Sequence, residues 1–193
     1  MDTQSAILQV ARRAFDRRGL AGLSLRAIAA KVGITPMAIY RHFKNKEALV
    51  DALVHDAMGE WTARVEALPP AEGREKLTQL TDAFLEFALV EPRRFEAAFL
   101  VPSRKARRYP DDFLSGFSTS GNVQRQAIEH EIRRGAFAEA EPVELMIINA
   151  ALAQGLVSLY RAARIAGGEK DFRALFRRAM ARLISSYGKG GSK

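Results

Sequence analysis

Side chains able to do acid–base, nucleophilic or metal chemistry are few in this chain and poorly grouped. Its three histidines, His42, His55 and His130, include no pair at metal-ligand spacing. His130 lies in Glu129-His130-Glu131, and neighbours on a helix point in different directions, so a solvated helix face accounts for it. There is no cysteine, which removes disulfides, thiolate metal sites and cysteine nucleophiles and fits a reducing interior. No glycine-rich phosphate loop, Gly-x-Ser-x-Gly elbow or His-Glu-x-x-His pair occurs. Carboxylate pairs such as Asp111-Asp112 fall at helix starts, where they offset the helix dipole. The expectation is a protein that is not an enzyme and holds no metal and no resident cofactor.

What is grouped is positive charge. Residues 1–50 hold nine cations (Arg12, Arg13, Arg17, Arg18, Arg26, Lys31, Arg41, Lys44 and Lys46) against Asp2, Asp16 and Glu47. Six of the formal +8 therefore sit in the first quarter of 193 residues. Such an asymmetry is the footprint of a polyanion-binding module, with an ordinary solvated basic face as the plainer alternative. Within this stretch the Tyr40 hydroxyl can bond a phosphate oxygen, and Met37 and Ala38 can pack on a thymine methyl. Lys46 can hold a phosphate together with the free N–H groups of the helix it begins. The alternative for Tyr40 is a half-buried place in a three-helix core. A second basic cluster, Arg104-Lys105-x-Arg107-Arg108, reads first as a solvated loop, with nucleic acid or an anionic effector as other partners.

The elements that must position these groups are helices. Nearly half the residues are apolar, enough for a packed core, and no β alternation is evident. The first helix carries Ile7, Val10, Ala11, Ala14 and Phe15 on one stripe, and Gly19 suits a left-handed cap after it. Ser24 caps a second helix through Lys31, and Val32-Gly33-Ile34 turns the chain. Thr35 caps a third helix through His42, with Pro36 at its first position, where the missing N–H costs nothing. Asn45 caps a fourth from Lys46 to Leu68, stopped by Pro69-Pro70. Further helices are expected at 73–90, 92–101, 111–134, 142–166 and 169–187, before a flexible 188–193 tail. Two short helices joined at a glycine let the second project into a major groove, which makes 24–43 a helix-turn-helix.

The residues from Gly22 to Leu53 resemble the DNA-binding domain of the tetracycline-repressor (TetR) family. The marks are Ile28-Ala29, Val32-Gly33-Ile34, Tyr40-x-His42-Phe43 and Asn45-Lys46-Glu47-x-Leu49, with the match covering about residues 5–54. The resemblance implies an all-α chain, with a three-helix DNA-binding region over 1–50 and a larger helical effector-binding and dimerisation region over 51–187. It also implies a homodimer on a palindromic double-stranded operator, released by a small-molecule effector. By motif position, Ser24, Thr35, Tyr40, His42 and Lys46 would hold phosphates, while Arg26, Pro36, Met37 and Ala38 would face bases. Pro36-Met37-Ala38 offers few hydrogen bonds, so base reading would fall to Arg26 and to apolar contacts. A His-Gly pair common in the family stands here as Gln154-Gly155, and no role transfers from that histidine.

The middle of the chain is aromatic, and most of these rings must be core, each worth about 1.5–3 kcal/mol on burial. The resemblance makes Trp61, Phe84, Phe87, Phe99, Phe113 and Phe117 candidates to line an effector cavity. The helix from Lys46 to Leu68 would span roughly 30 Å and link that cavity to the DNA head as a stiff lever. Helix 142–166 is apolar on most sides and the last helix on one. Leu152, Gly155, Leu156 and Leu159, with Phe176, Ala179 and Leu183, are therefore expected in a four-helix dimer interface. The start of the chain lacks the features of a signal peptide. Its longest apolar run, 145–160, is interrupted by Asn149, Gln154 and Ser158, which leads us to expect a cytoplasmic protein with no membrane partner. The rival readings are a constitutive DNA-binding protein without an effector, and an enzyme with a basic head.

Overall fold

The computed structural model describes residues 2–114 and 118–188. Phe117 and the tail beyond Gly188 lie outside these. The chain is all-α: among the described residues the one β feature is an isolated bridge between Phe137 and Gly188. The helices are α1 (Thr3–Arg18), α2 (Leu25–Val32), α3 (Pro36–Ile39), α4 (Lys46–Glu66), α5 (Gly73–Val90), α6 (Pro92–Phe99), α7 (Asp111–Leu114), α8 (Thr119–Arg133), α9 (Pro142–Arg161) and α10 (Glu169–Ser186).

Packing divides the chain into two compact units, one of residues 1–60 with 91–106, the other of 61–90 with 107–193. This differs from a functional division at residue 50 because α6, distant in sequence, packs on α1. The first unit is built on one continuous core. Ile7, Ala11 and Phe15 of α1 meet Ile28 of α2, Ile39 of α3, and Leu49 and Leu53 of α4, with Ala97 of α6 added. Local chemistry sets the ends of its helices. Asp2 accepts a hydrogen bond from the Ser5 N–H at 2.8 Å and starts α1. The Asn45 carboxamide accepts one from the Ala48 N–H at 2.8 Å and starts α4. After α1 the chain makes a 3₁₀ turn, Gly19–Gly22, in place of a simple left-handed cap, since Gly19 has φ 60° with ψ −152°.

In the second unit α5 and α8 pair along their lengths, and α9 and α10 pack on them. Leu77, Ile128, Phe137, Leu145, Met146 and Ile184 form the shared core. The buried Glu131 carboxylate on α8 accepts a hydrogen bond from the Arg74 N–H at 3.1 Å and so caps α5. Gly73 permits this: its φ is +50°, and a Cβ there would lie 1.9 Å from the carboxylate oxygen.

The expected single helix over 111–134 is two, because Ser118 adopts extended backbone and its hydroxyl accepts from the Gly121 N–H at 3.2 Å. The last long apolar helix stops at Arg161, short of 166. Ala163 takes φ 53° and the Arg164 N–H returns to the Leu159 carbonyl at 2.9 Å, a left-handed cap made by alanine. Helix α9, with 20 residues and a mean hydropathy of 1.5 over its apolar window, is long and apolar enough to cross a membrane by length and composition alone. Its Val143, Met146, Ala153 and Val157 are buried within the unit, whereas Ile148 and Leu159 remain exposed.

Candidate nucleic-acid interface

The helix-turn-helix is anchored from within and bare outside. Ile28 and Ala29 fix α2, Ile39 fixes α3, and Phe43 fixes the exit, all at 4% exposure or less. Gly33 turns the chain between the two helices in the left-handed region, φ 81° and ψ 29°, and its N–H bonds the Ala29 carbonyl. The α3 helix proper is shorter than expected. It ends at Ile39, and Tyr40 to His42 continue as a tighter turn, with Arg41 N–H on the Ala38 carbonyl and His42 N–H on Ile39.

Every residue assigned to DNA falls on this one unit. Ser24, Arg26, Thr35, Pro36, Met37, Tyr40, His42 and Lys46 are exposed, and Ala38 is half-buried. Met37 is 75% exposed and Tyr40 50%, which excludes a core role for that ring. Large side chains held out by a rigid turn are what a groove-reading element needs, since the partner's surface covers them on binding. The Ser24 and Thr35 oxygens accept from the Ala27 and Ala38 N–H groups at 3.4 and 3.1 Å. Each hydroxyl hydrogen is then free to donate to a phosphate oxygen. The Lys46 ammonium donates to the Leu20 carbonyl at 3.1 Å, which holds it at the start of α4 and leaves two N–H groups for an anion.

The candidates for an effector cavity separate. Trp61, Phe84 and Phe87 come together in the second unit, the indole edge-on to Phe84 at 5.9 Å and stacked on Phe87 at 6.2 Å. Arg64 lies over the Phe87 ring at 4.8 Å. Phe99, on α6, falls in the first unit, its ring 5.1 Å from that of Phe95. Phe113 is in the second unit, against the Leu77 and Ile128 cluster and under the Arg107 guanidinium at 5.0 Å. Phe117 lies outside the described residues.

Of the expected dimer residues, Leu159 is 44% exposed, Leu152, Leu156, Ala179 and Leu183 are half-buried, and Gly155 faces open space. Phe176 is a correction. It is fully buried inside the protomer, beside Phe172 at 6.0 Å, and presents nothing to a partner.

A charged network that no sequence motif announces joins α1, α4 and α6 in the first unit. Arg94 of α6, 4% exposed, donates from Nε to Glu60 at 2.8 Å and from Nη2 to Asp56 at 2.5 Å. Arg12 of α1 joins the same carboxylates, at 2.6 Å from Glu60 and 3.8 Å from Asp56. Burial alone would lower the Arg94 pKa, but the hydrogen bonds to Glu60 and Asp56 outweigh it and hold the guanidinium above its ordinary value. Local patterning could not reveal these pairs, since Arg94 is 34 and 38 positions from its partners.

Residues 7–53 match the family described as bacterial regulatory proteins, tetR family, and residues 77–183 match the tetracyclin repressor-like C-terminal domain. The chain is 37% identical over 94 residues to a probable HTH-type transcriptional regulator, ArpR, of Pseudomonas putida, and 36% identical to TtgR of the same species. Each match takes in 46% of this chain and 44% of the relative, so the chain is aligned to under half the length of either. A solved TetR-family regulator from Pectobacterium atrosepticum is 28% identical with a TM-score of 0.65, covering 97% of this chain and 95% of its own. A Rhodococcus protein of unknown function shares the fold at a TM-score of 0.78 and 18% identity, covering 98% and 97%. The fold is shared as well with a TetR variant from Acinetobacter baumannii in complex with minocycline, at a TM-score of 0.66 and 22% identity, covering 97% and 96%.

Proposed function

The chain belongs to the tetR family of bacterial regulatory proteins, and from that premise we propose that it is a homodimeric transcriptional repressor, acting in the cytoplasm, that occupies a palindromic operator and leaves it on binding a small molecule. The observation that carries this reading is the exposed Met37 and Tyr40 on a turn pinned by Ile39 and Phe43, in the most basic part of the chain. The test is selection of bound duplexes from a random pool by the full chain. A palindrome with half-sites one helical turn apart, about 34 Å, is the expected product.

Two substitutions separate positioning from reading. Lys46→Ala is expected to weaken all sequences alike and to flatten the dependence of log affinity on log salt by about 0.9 per phosphate no longer neutralised. An unchanged slope would remove Lys46 from the phosphate set. Arg26→Ala is expected to relax preference at one base pair per half-site and cost about 1–3 kcal/mol there. Uniform weakening over a library of operator variants would make Arg26 a phosphate contact instead.

The effector part of the proposal draws on Trp61, Phe84 and Phe87 in the second unit and on helix α4, which runs from Lys46 in the first unit to Glu66 in the second. Minocycline is bound by one structural neighbour, which supports a small-molecule site without naming this chain's ligand. A true effector must bind the operator-free form more tightly, and the coupling must be reciprocal. We expect a compound found by thermal shift to perturb Trp61 emission and to lower operator affinity. Operator should lower the compound's affinity by the same factor. A compound that binds and leaves operator affinity untouched would favour the constitutive alternative.

A further inference from the structure

We propose that Arg104 and Lys105 form a second phosphate-contacting site, which holds the DNA backbone outside the base pairs covered by α3. The proposal rests on the DNA-binding reading above and extends it to a part of the chain beyond the helix-turn-helix.

The direction of α6 places this segment. Its Arg94 is bonded to Asp56 and Glu60 of α4, and the residues after α6 reach back to Asp51, where the Ser103 hydroxyl donates at 2.7 Å. Helix α6 therefore runs antiparallel to α4 within the first unit and brings the chain down toward the Lys46 end. Val101 packs on the core that supports α3 and α4. Asp51 is five residues from Lys46, about 7.5 Å along the helix axis, a distance comparable with an extended arginine side chain.

The segment at that point is built, not loose. Besides its bond to Asp51, Ser103 accepts the Lys105 N–H on its hydroxyl at 3.1 Å and the Ala106 N–H on its carbonyl at 3.1 Å, closing a turn. The turn presents Arg104 and Lys105 to solvent. Neither side chain pairs with a carboxylate among the described residues, and Asp51, the acid that faces the turn, already accepts from Ser103. The next cation is used differently: Arg107 lies over the Phe113 ring in the second unit. Two adjacent unpaired cations on a tethered turn, set toward the phosphate-binding end of α4, repel each other until an anion arrives. A polyanionic backbone running past Lys46 supplies one.

The test uses the full chain and fluorescent duplexes of the selected operator, with affinity measured from about 50 to 200 mM salt. For Arg104→Ala/Lys105→Ala, the salt slope on a duplex extending past both half-sites should fall by about 0.9 for each phosphate released. On a duplex trimmed to the half-sites the variant and the unmodified chain should bind alike. Arg104→Lys/Lys105→Arg should keep the original slope. An unchanged slope on the long duplex, at an unchanged melting temperature, would overturn the proposal and leave the DNA-binding reading standing. Failure of the unmodified chain to bind or select any duplex would overturn both.

Discussion

Replacing Leu159 with glutamate is expected to turn a dimer into a folded monomer and to weaken operator binding by about 10²–10⁴-fold, the share that two linked heads contribute over one. The expectation follows from how α9 divides its apolar surface. One stripe, Met146, Asn149, Ala153 and Val157, is buried in the protomer, where Asn149 accepts a hydrogen bond from the Tyr187 hydroxyl at 3.0 Å. The other stripe runs through Ile148, Ala151, Gly155 and Leu159 and is exposed over about three turns, with Ile148 at 38% and Leu159 at 44%. An apolar helix face of that length is costly in water and marks an interaction site. Nothing within 4 Å faces a Cβ at Gly155, so a second helix can approach closely there. Two-fold pairing covers the same stripe on both copies. Because Leu159 is largely outside the protomer core, the substitution places its charge at the interface and leaves the monomer intact. Sedimentation at micromolar concentration, circular dichroism and operator titration together decide it. A Leu159→Glu protein that still sediments as a dimer would place the interface elsewhere.

Phe176 shows why that interface was only partly legible in the sequence. Helix α10 carries Phe172, Phe176, Ala179 and Leu183 at helical spacing, and spacing alone cannot say which of two apolar-facing directions meets the protomer's own core. Packing settled it: Phe172 and Phe176 turn inward, whereas Ala179 and Leu183 stay half-buried. The helix-turn-helix was readable because its determinants are local. Ser24, Gly33, Thr35, Pro36 and Asn45 each act on N–H groups or dihedrals within four residues, so their types fix the ends of α2, α3 and α4. The start of α8 carried such a mark in Ser118, which an unbroken helix over 111–134 passes over, whereas the early end of α9 lacked one because an alanine took the left-handed position where glycine is usual. The family resemblance sets Phe99 beside Phe84 as a candidate for one cavity. The turn at Glu91-Pro92 sends it to the other unit, a consequence of tertiary packing that aromatic content does not encode. The same return of the chain brings Arg94 to α4 and Ser103 to Asp51, so both the buried network and the tethered turn depend on long-range contacts.

Arg94→Ala is expected to be among the most destabilising single changes outside the apolar core, by about 3–5 kcal/mol, because it leaves Asp56 and Glu60 without their main partner in a partly buried site. The guanidinium itself is 4% exposed and satisfies the two carboxylates from two different edges, which a lysine cannot reproduce. Arg12 touches the same acids from α1 but is 40% exposed, so water replaces much of what it contributes, and Arg12→Ala should cost only about 0–1 kcal/mol. The contrast between the two arginines is the informative quantity, since both remove one positive charge from the same network. Replacing Asp56, Glu60 and Arg94 together by leucine should recover most of the loss, since the one charge then left without its partners, Arg12, is 40% exposed and solvated. The change should also be felt locally. With Arg94 gone, α6 loses its polar attachment to α4, and amide hydrogens of residues 92–101 should exchange faster than those of α1 or α2. Denaturant titration measures the stabilities, and exchange measures the site of the loss. If Arg94→Ala and Arg12→Ala cost the same, the network is a surface feature and α6 is held by Ala97 and Val101 against the apolar core alone.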